Sequence, residues 1–219
     1  VDLDALAALL EASPPALVSV MLANNETGAI QPIPGVAALV HEAGGLLHVD
    51  EVQALGKMTF NINEMQGDVI SVSGHKVGGP KGVGALVLAD GIGGRTPLLR
   101  GGGQEQGRRA GTENLTGIVG FGAAVKAAMA ALPNAAVRMQ TLQRRLESGL
   151  RAASDVVIFS DGVPRLPNTT LVAAPHLKAE TAVIGFDLEG IAVSSGSACS
   201  SGKVQPSHVL QAMGADPAL

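Results

Sequence analysis

Tryptophan and tyrosine are missing from the 219 residues and phenylalanine occurs only four times, so few rings are available to stack on a flat ligand. One cysteine, Cys199, excludes an internal disulfide and agrees with a reducing compartment. Lysine and arginine are scattered apart from Arg108-Arg109 and Arg144-Arg145, and the net charge is −4, which argues against a nucleic-acid surface. No apolar stretch approaches the roughly 18–20 residues of a membrane span, and no charged-then-apolar leader stands at the start. The expectation is a cytoplasmic protein, neither membrane-bound nor nucleic-acid-binding. The first residue is Val1 rather than Met, and the chain opens on an amphipathic stretch over residues 3–10, which suggests a fragment.

What is present is a substantial apolar fraction, 46%, with 16% charged residues, as in a globular protein with a core. Short apolar runs alternate with helical stretches. Residues 16–23 (ALVSVMLA) read as a buried strand ending in a polar turn at Asn24 to Gly28. Pro34 opens a helix that Gly44-Gly45 stops. Residues 46–49, 69–73 and 84–89 read as further strands. Runs without polar alternation, separated by helices, predict an α/β fold with a mostly parallel sheet covered on both faces. A helix over 116–131 is broken by Pro133, and a second follows over 137–150. The pattern then restarts with strands at 156–160, 169–173 and 191–194 and a helix over 178–188. The expected division is a large domain over 1–132 and a smaller α/β domain over 133–219.

Ligands of such sheets sit at the carboxyl ends of strands. Asn25, Asp50, His75 and Lys76 all fall there. A strand-end lysine with its ammonium in water is the plain reading of Lys76. The sharper one is Schiff-base chemistry, which needs an amine that burial can keep partly neutral. Ser73 and His75 just before it are able to donate to a phosphate, which together suggests pyridoxal phosphate. That cofactor works as an electron sink when its pyridine nitrogen stays protonated, and a carboxylate partner is the usual means. Asp50 fits, although an aspartate after a strand also serves as a helix cap. Gln53, three residues on, faces the ring hydroxyl in this reading. Cys199 sits in SSGSACSSG, a segment too poor in apolar residues to bury itself, so an exposed, mobile loop is expected. The alternative is a small buried thiol.

Five segments in order, NNETGAIQPI, HVDEVQALGK, SVSGHKVGGPKGVGAL, GGGQEQGRRAGTEN and SSGSACSSG with PSHVL, resemble the successive motifs of the cysteine desulfurases. The resemblance implies a fold-type I pyridoxal-phosphate enzyme, a homodimer with its site near the subunit interface. It assigns Lys76 to the Schiff base, Asp50 to the pyridine nitrogen, Gln53 to the ring hydroxyl, and Ser73 and His75 to the phosphate. Asn25 lies beside cofactor and substrate carboxylate, and Thr112 reaches the partner's phosphate. Lys76 or His75 moves the proton, and Cys199 takes sulfur from L-cysteine as a persulfide, releasing alanine. The implied acceptors are iron–sulfur scaffold proteins or tRNA-thiolation relays. Roughly the first third of the family's chain, with a ring-stacking histidine, and its C-terminal arginine are not matched here. Glu51 stands where the family has a small residue, and is expected to point to solvent. Rival readings are a related lyase acting on selenocysteine or another amino acid, which needs Lys76 alone, and a truncated remnant without catalysis. His41, His48, His176 and His208 lack metal-ligand spacing, and no metal site is expected.

Overall fold

In this computed structural model the described residues are 1–92, 96–196 and 207–216. The chain divides into two compact units, one formed by Val1–Ala23 with Gln31–Ala136, the other by Asn24–Ile30 with Val137–Leu219.

The first unit is built on a four-stranded sheet of β1 (Leu17–Met21), β2 (Leu46–Asp50), β3 (Val69–Ser73) and β4 (Gly84–Leu88), in that spatial order. β1, β2 and β3 are parallel, whereas β4 returns antiparallel to β3. The sheet is thus mostly parallel, as the unalternated runs predict. Helix α1 (Leu3–Ala12) is capped by Asp2, whose carboxylate accepts the Asp4 and Ala5 N–H groups at 3.0 Å. Helix α2 (Ile33–Glu42) buries Ile33, Val36, Ala37 and Val40, an i, i+3, i+4, i+7 stripe. It packs beside β2, whose Leu47 and Val49 are fully buried. Its last turn is closed by Gly45 N–H donating to the Val40 carbonyl at 2.9 Å. The short α3 (Ile62–Met65) leads to Asp68, which accepts from Leu47 N–H at 2.7 Å and contacts His41 Nε2 at 2.8 Å. One carboxylate therefore ties α2, β2 and the entry to β3.

His48 crosses the sheet. Its Nδ1 lies 2.7 Å from the Ser19 hydroxyl on β1 and its Nε2 3.0 Å from the Ser71 hydroxyl on β3. Its role is structural. Among the described residues no group of three His, Cys, Asp or Glu side chains gathers to hold a metal.

Helix α4 (Leu115–Ala153) corrects two expectations. Pro133 lies inside it and does not break it. Proline removes one N–H, whose lost acceptor belongs to Met129; Pro133 is exposed and Met129 is 39% exposed, so water can replace the bond. Alanine-rich turns on both sides propagate the helix through the gap. The same helix holds an 18-residue window of mean hydropathy 1.7, long and apolar enough to cross a membrane by length and composition. Counting unbroken apolar runs misses it because Thr116, the glycines and Lys126 interrupt the run without lowering its average much.

In the second unit, Gln143 on α4 donates to the carbonyls of Leu166 and Thr169 at 3.1 and 2.7 Å. Glu147 and Arg165, both nearly buried, pair at 2.9 Å, and the Thr170 hydroxyl donates to Glu147 at 2.9 Å. β5 (Val157–Ile158) and β6 (Val172–Ala173) form a two-stranded antiparallel ladder, followed by α5 (Ala179–Leu188) and α6 (His208–Ala212). The turn at 24–30 joins this unit through Leu166 N–H to Gly28 O at 2.8 Å and Ile30 N–H to Pro164 O at 2.9 Å. Residues 191–194 are not a strand: no ladder receives them, and Ile191 and Val193 are half-exposed.

Candidate active site

The carboxyl ends of β2 and β3 are neighbours because the strands run parallel with Asp50 opposite Ser71. Asp50, the last residue of β2, accepts the Val52 N–H on Oδ1 at 2.8 Å, which orients its carboxylate at the strand end. β3 ends at Ser73 and runs into a 3-10 helix, Gly74–Val77, that carries His75 and Lys76. Gly78 terminates this helix with φ +84°, a left-handed conformation that a side chain would strain, and Gly79 N–H returns to the Gly74 carbonyl at 2.8 Å. Lys76 is thereby held on a tight turn rather than on a loose loop. Ser73 Oγ and His75 Nδ1 are 2.8 Å apart, so the two groups assigned to one phosphate are already adjacent.

Between the strands, residues 51–58 coil back on themselves: Ala54 and Leu55 N–H bond to the Glu51 carbonyl at 2.9 and 3.2 Å, and Met58 N–H to Ala54 O at 3.2 Å. This places Gln53 and Lys57 on one side, and the Lys57 ammonium donates to Gln53 Oε1 at 3.2 Å. The Lys57 amine is held below the ordinary lysine value by burial first and then by the charge of Lys76. Lys57 escaped the sequence reading. The signal was there, in the i, i+4 spacing from Gln53 inside HVDEVQALGK.

Glu51 does not point to solvent as expected. It continues the buried alternation of Leu47 and Val49 and is 1% exposed. No hydrogen bond reaches its Oε1 from the described residues. Burial, and then the neighbouring Asp50 charge, push its carboxyl up from 4.5 to about 7.

Asp50, Gln53, Ser73, His75 and Lys76 thus belong to one unit and to adjoining strand ends. Thr112 is exposed on the segment before α4. Asn25 belongs to the second unit, in a turn organised by its neighbour Asn24, whose Oδ1 accepts the N–H groups of Glu26 and Thr27 at 2.9 Å. In the same unit the Ser207 hydroxyl donates to nearly buried Glu26 at 2.6 Å and caps α6 by accepting Leu210 N–H at 3.1 Å. Cys199 lies outside the described residues.

A carboxylate, an amide, a hydroxyl, an imidazole and an amine at two adjacent strand ends form the donor set that pyridoxal phosphate needs. Asp50 suits its ring nitrogen, Gln53 its ring oxygen, Ser73 and His75 its phosphate, and Lys76 its aldehyde carbon.

The chain is 48% identical over 199 residues to a cysteine desulfurase of Gluconacetobacter diazotrophicus, covering 90% of this chain and 50% of that protein. It is 50% identical over 198 residues to a cysteine desulfurase of Bradyrhizobium diazoefficiens, with the same coverage of 90% and 50%. Among solved structures, a NifS-like protein from Rickettsia africae superposes with a TM-score of 0.90 at 39% identity, over 100% of this chain and 58% of that one. A structure described as SspA in complex with cysteine superposes with a TM-score of 0.77 at 30% identity, over 100% of this chain and 60% of that one. The chain spans about half the length of the curated relatives it matches. The class-V aminotransferases and the cysteine desulfurases among them depend on pyridoxal phosphate. The model of the aminotransferase class-V family matches residues 1–215, and the chain belongs to that family.

Proposed function

We propose that this chain carries the cofactor-binding and sulfur-accepting residues of a cysteine desulfurase, which converts L-cysteine to L-alanine and leaves a persulfide on Cys199. The observation that carries the reading is the pairing of the Asp50 and Lys76 strand ends across adjacent parallel β2 and β3. Relatives named cysteine desulfurase at 46–50% identity support the choice of substrate.

When bound, pyridoxal phosphate supplies an electron sink for the substrate's carbon framework. In this reading the chain's residues divide the remaining work. The Lys76 amine would hold the cofactor covalently, and it or His75 would carry the proton once L-cysteine is bound. The Asp50 carboxylate holds a proton on the ring nitrogen. The Gln53 amide faces the ring oxygen, and Ser73 and His75 hold the phosphate. Asn25 approaches the substrate carboxylate, and Thr112 serves the phosphate of a partner subunit in a homodimer. The Cys199 thiolate attacks the substrate sulfur: a sulfur–sulfur bond forms, the substrate's carbon–sulfur bond breaks, and protonation of that carbon yields alanine. The persulfide then passes to an iron–sulfur scaffold protein or a thiolation relay in the cytoplasm. We read residues 1–132 as the part that holds the cofactor and 133–219 as the smaller part that carries the thiol. The apolar face of α4 suits packing within the whole protein, of which this chain covers about half.

Peptide mass spectrometry tests this after incubation with pyridoxal phosphate and L-cysteine, one aliquot reduced with borohydride and another alkylated. The expected result is a pyridoxyl adduct on Lys76 and one additional sulfur on Cys199, the latter absent from Lys76→Ala. An adduct on Lys76 with Cys199 unmodified would point to a lyase without a sulfur carrier. No modification at either residue, in this chain and in a full-length version, would reject the reading.

A further inference from the structure

Gln53 and Lys57 form a pair whose polarity matters. A carboxamide has one accepting end and one donating end of nearly equal size, and shape alone does not decide which faces a site. An ammonium group only donates. Lys57 Nζ contacts Gln53 Oε1 at 3.2 Å, so the oxygen is engaged and the NH2 end is turned elsewhere. The turn that bears both residues is packed against the Lys76 helix: a Cβ at Gly56 would stand 2.8 Å from Val77 Cγ2. That close approach brings the Lys57 charge to bear on the cofactor-side lysine, and burial and Lys76 both disfavour the charged form of Lys57.

We propose that Lys57 is a positioning residue, which holds the Gln53 carboxamide by its oxygen and so offers the amide N–H end to an anionic oxygen on the ring of the bound cofactor. The inference rests on the pyridoxal-phosphate reading for the identity of that oxygen, and on the contact itself for the orientation. A Gln53 amide turned the other way would set its carbonyl against the ring oxygen and repel it. Loss of the Lys57 charge at alkaline pH weakens the hold on the carbonyl, and the pair is therefore expected to loosen at a pH below that at which solvated lysines titrate.

Two readouts test it, one free of cofactor. In 13C-labelled 219-residue chain, the Gln53 side-chain carbonyl signal, assigned by its loss in Gln53→Leu, is followed from neutral to alkaline pH. It is expected to move with a midpoint below the ordinary lysine range, to stay still in Lys57→Met, and to keep its neutral-pH position in Lys57→Arg. In the chain loaded with pyridoxal phosphate, the absorption band of the bound cofactor is titrated. Lys57→Met is expected to shift its pH midpoint by roughly one unit, Lys57→Arg to restore it, and Lys57→Met to add nothing in the Gln53→Leu background. A carbonyl signal indifferent to Lys57 overturns the proposal, as does an equal Lys57→Met shift with and without Gln53. A carbonyl that follows Lys57 in a chain that forms no adduct on Lys76 has a different meaning: it overturns the ligand assignment and the functional reading, and leaves the orienting contact standing.

Discussion

Asp50 and Glu51 are consecutive carboxylates in opposite surroundings. Asp50 ends β2 at the partly open strand end and accepts the Val52 N–H, whereas Glu51 is sealed at 1% exposure with its Oε1 unpartnered among the described residues. One residue step in a strand reverses the face. The same step separates a carboxylate suited to a ring nitrogen from one whose carboxyl burial pushes up to about 7.

Glu51 makes stability fall as pH rises. Its folded value of about 7 lies above the ordinary 4.5, so the folded state binds more protons between those limits. The stability it contributes is complete below about 4.5 and lost as pH passes through 7, with a span of up to roughly 3 kcal/mol. Denaturant unfolding at stepped pH should show this slope in the natural chain and its absence in Glu51→Gln. Parallel slopes in both would remove Glu51 as the cause.

The opposite trend belongs to Glu147. Burial acts to raise its carboxyl, but the hydrogen bonds from Arg165 and Thr170 and the Arg165 charge outweigh it and leave the value lowered. Stability from this group is present above the ordinary glutamate value and is lost as pH falls through the lowered one. Arg165→Met leaves a buried carboxylate without its cation, and should destabilise the second unit by about 3–5 kcal/mol. Thermal unfolding that separates the two units would check this; a loss confined to the first unit would contradict it.

His48 joins three strands through Ser19 and Ser71. Its replacement by alanine removes both bonds and strands two hydroxyls, at a cost of about 1–3 kcal/mol. Cofactor attachment at Lys76 should survive wherever the fold does, which borohydride trapping would report. Loss of attachment from a fully folded His48→Ala chain would make this histidine part of the site instead.

Asp50→Asn keeps the shape of the strand end and removes the charge proposed to hold the ring proton. In a full-length protein it should leave the Lys76 adduct in place and lower the desulfurase rate by about two orders of magnitude. Steady-state alanine formation measures the rate and mass spectrometry the adduct. A rate near that of the natural protein would dismiss Asp50 from the role.

The alternation of apolar runs with helical stretches was sufficient to read the parallel strands and α2, since each element's apolar spacing faces one core. Asp50, His75 and Lys76 could be placed at adjoining strand ends because each follows directly on an apolar run that reads as a strand. Pro133 misled for a definable reason: proline's local cost is fixed, but helix continuation depends on whether the freed carbonyl finds water, and that depends on exposure. The failed strand at 191–194 has the same origin, for strand propensity is expressed only where a neighbouring ladder accepts it.

The sequence by itself determined the chemical inventory, the order of the elements and the family, because motif order and strand-end polarity are properties of the linear chain. The tertiary structure alone decided that Glu51 is buried with its carboxyl pushed up to about 7, that Lys57 grips Gln53 beside Lys76, and that the turn at 24–30 packs with the second unit. Those outcomes depend on solvent access and on distances between groups from different elements, and neither is encoded at any single position.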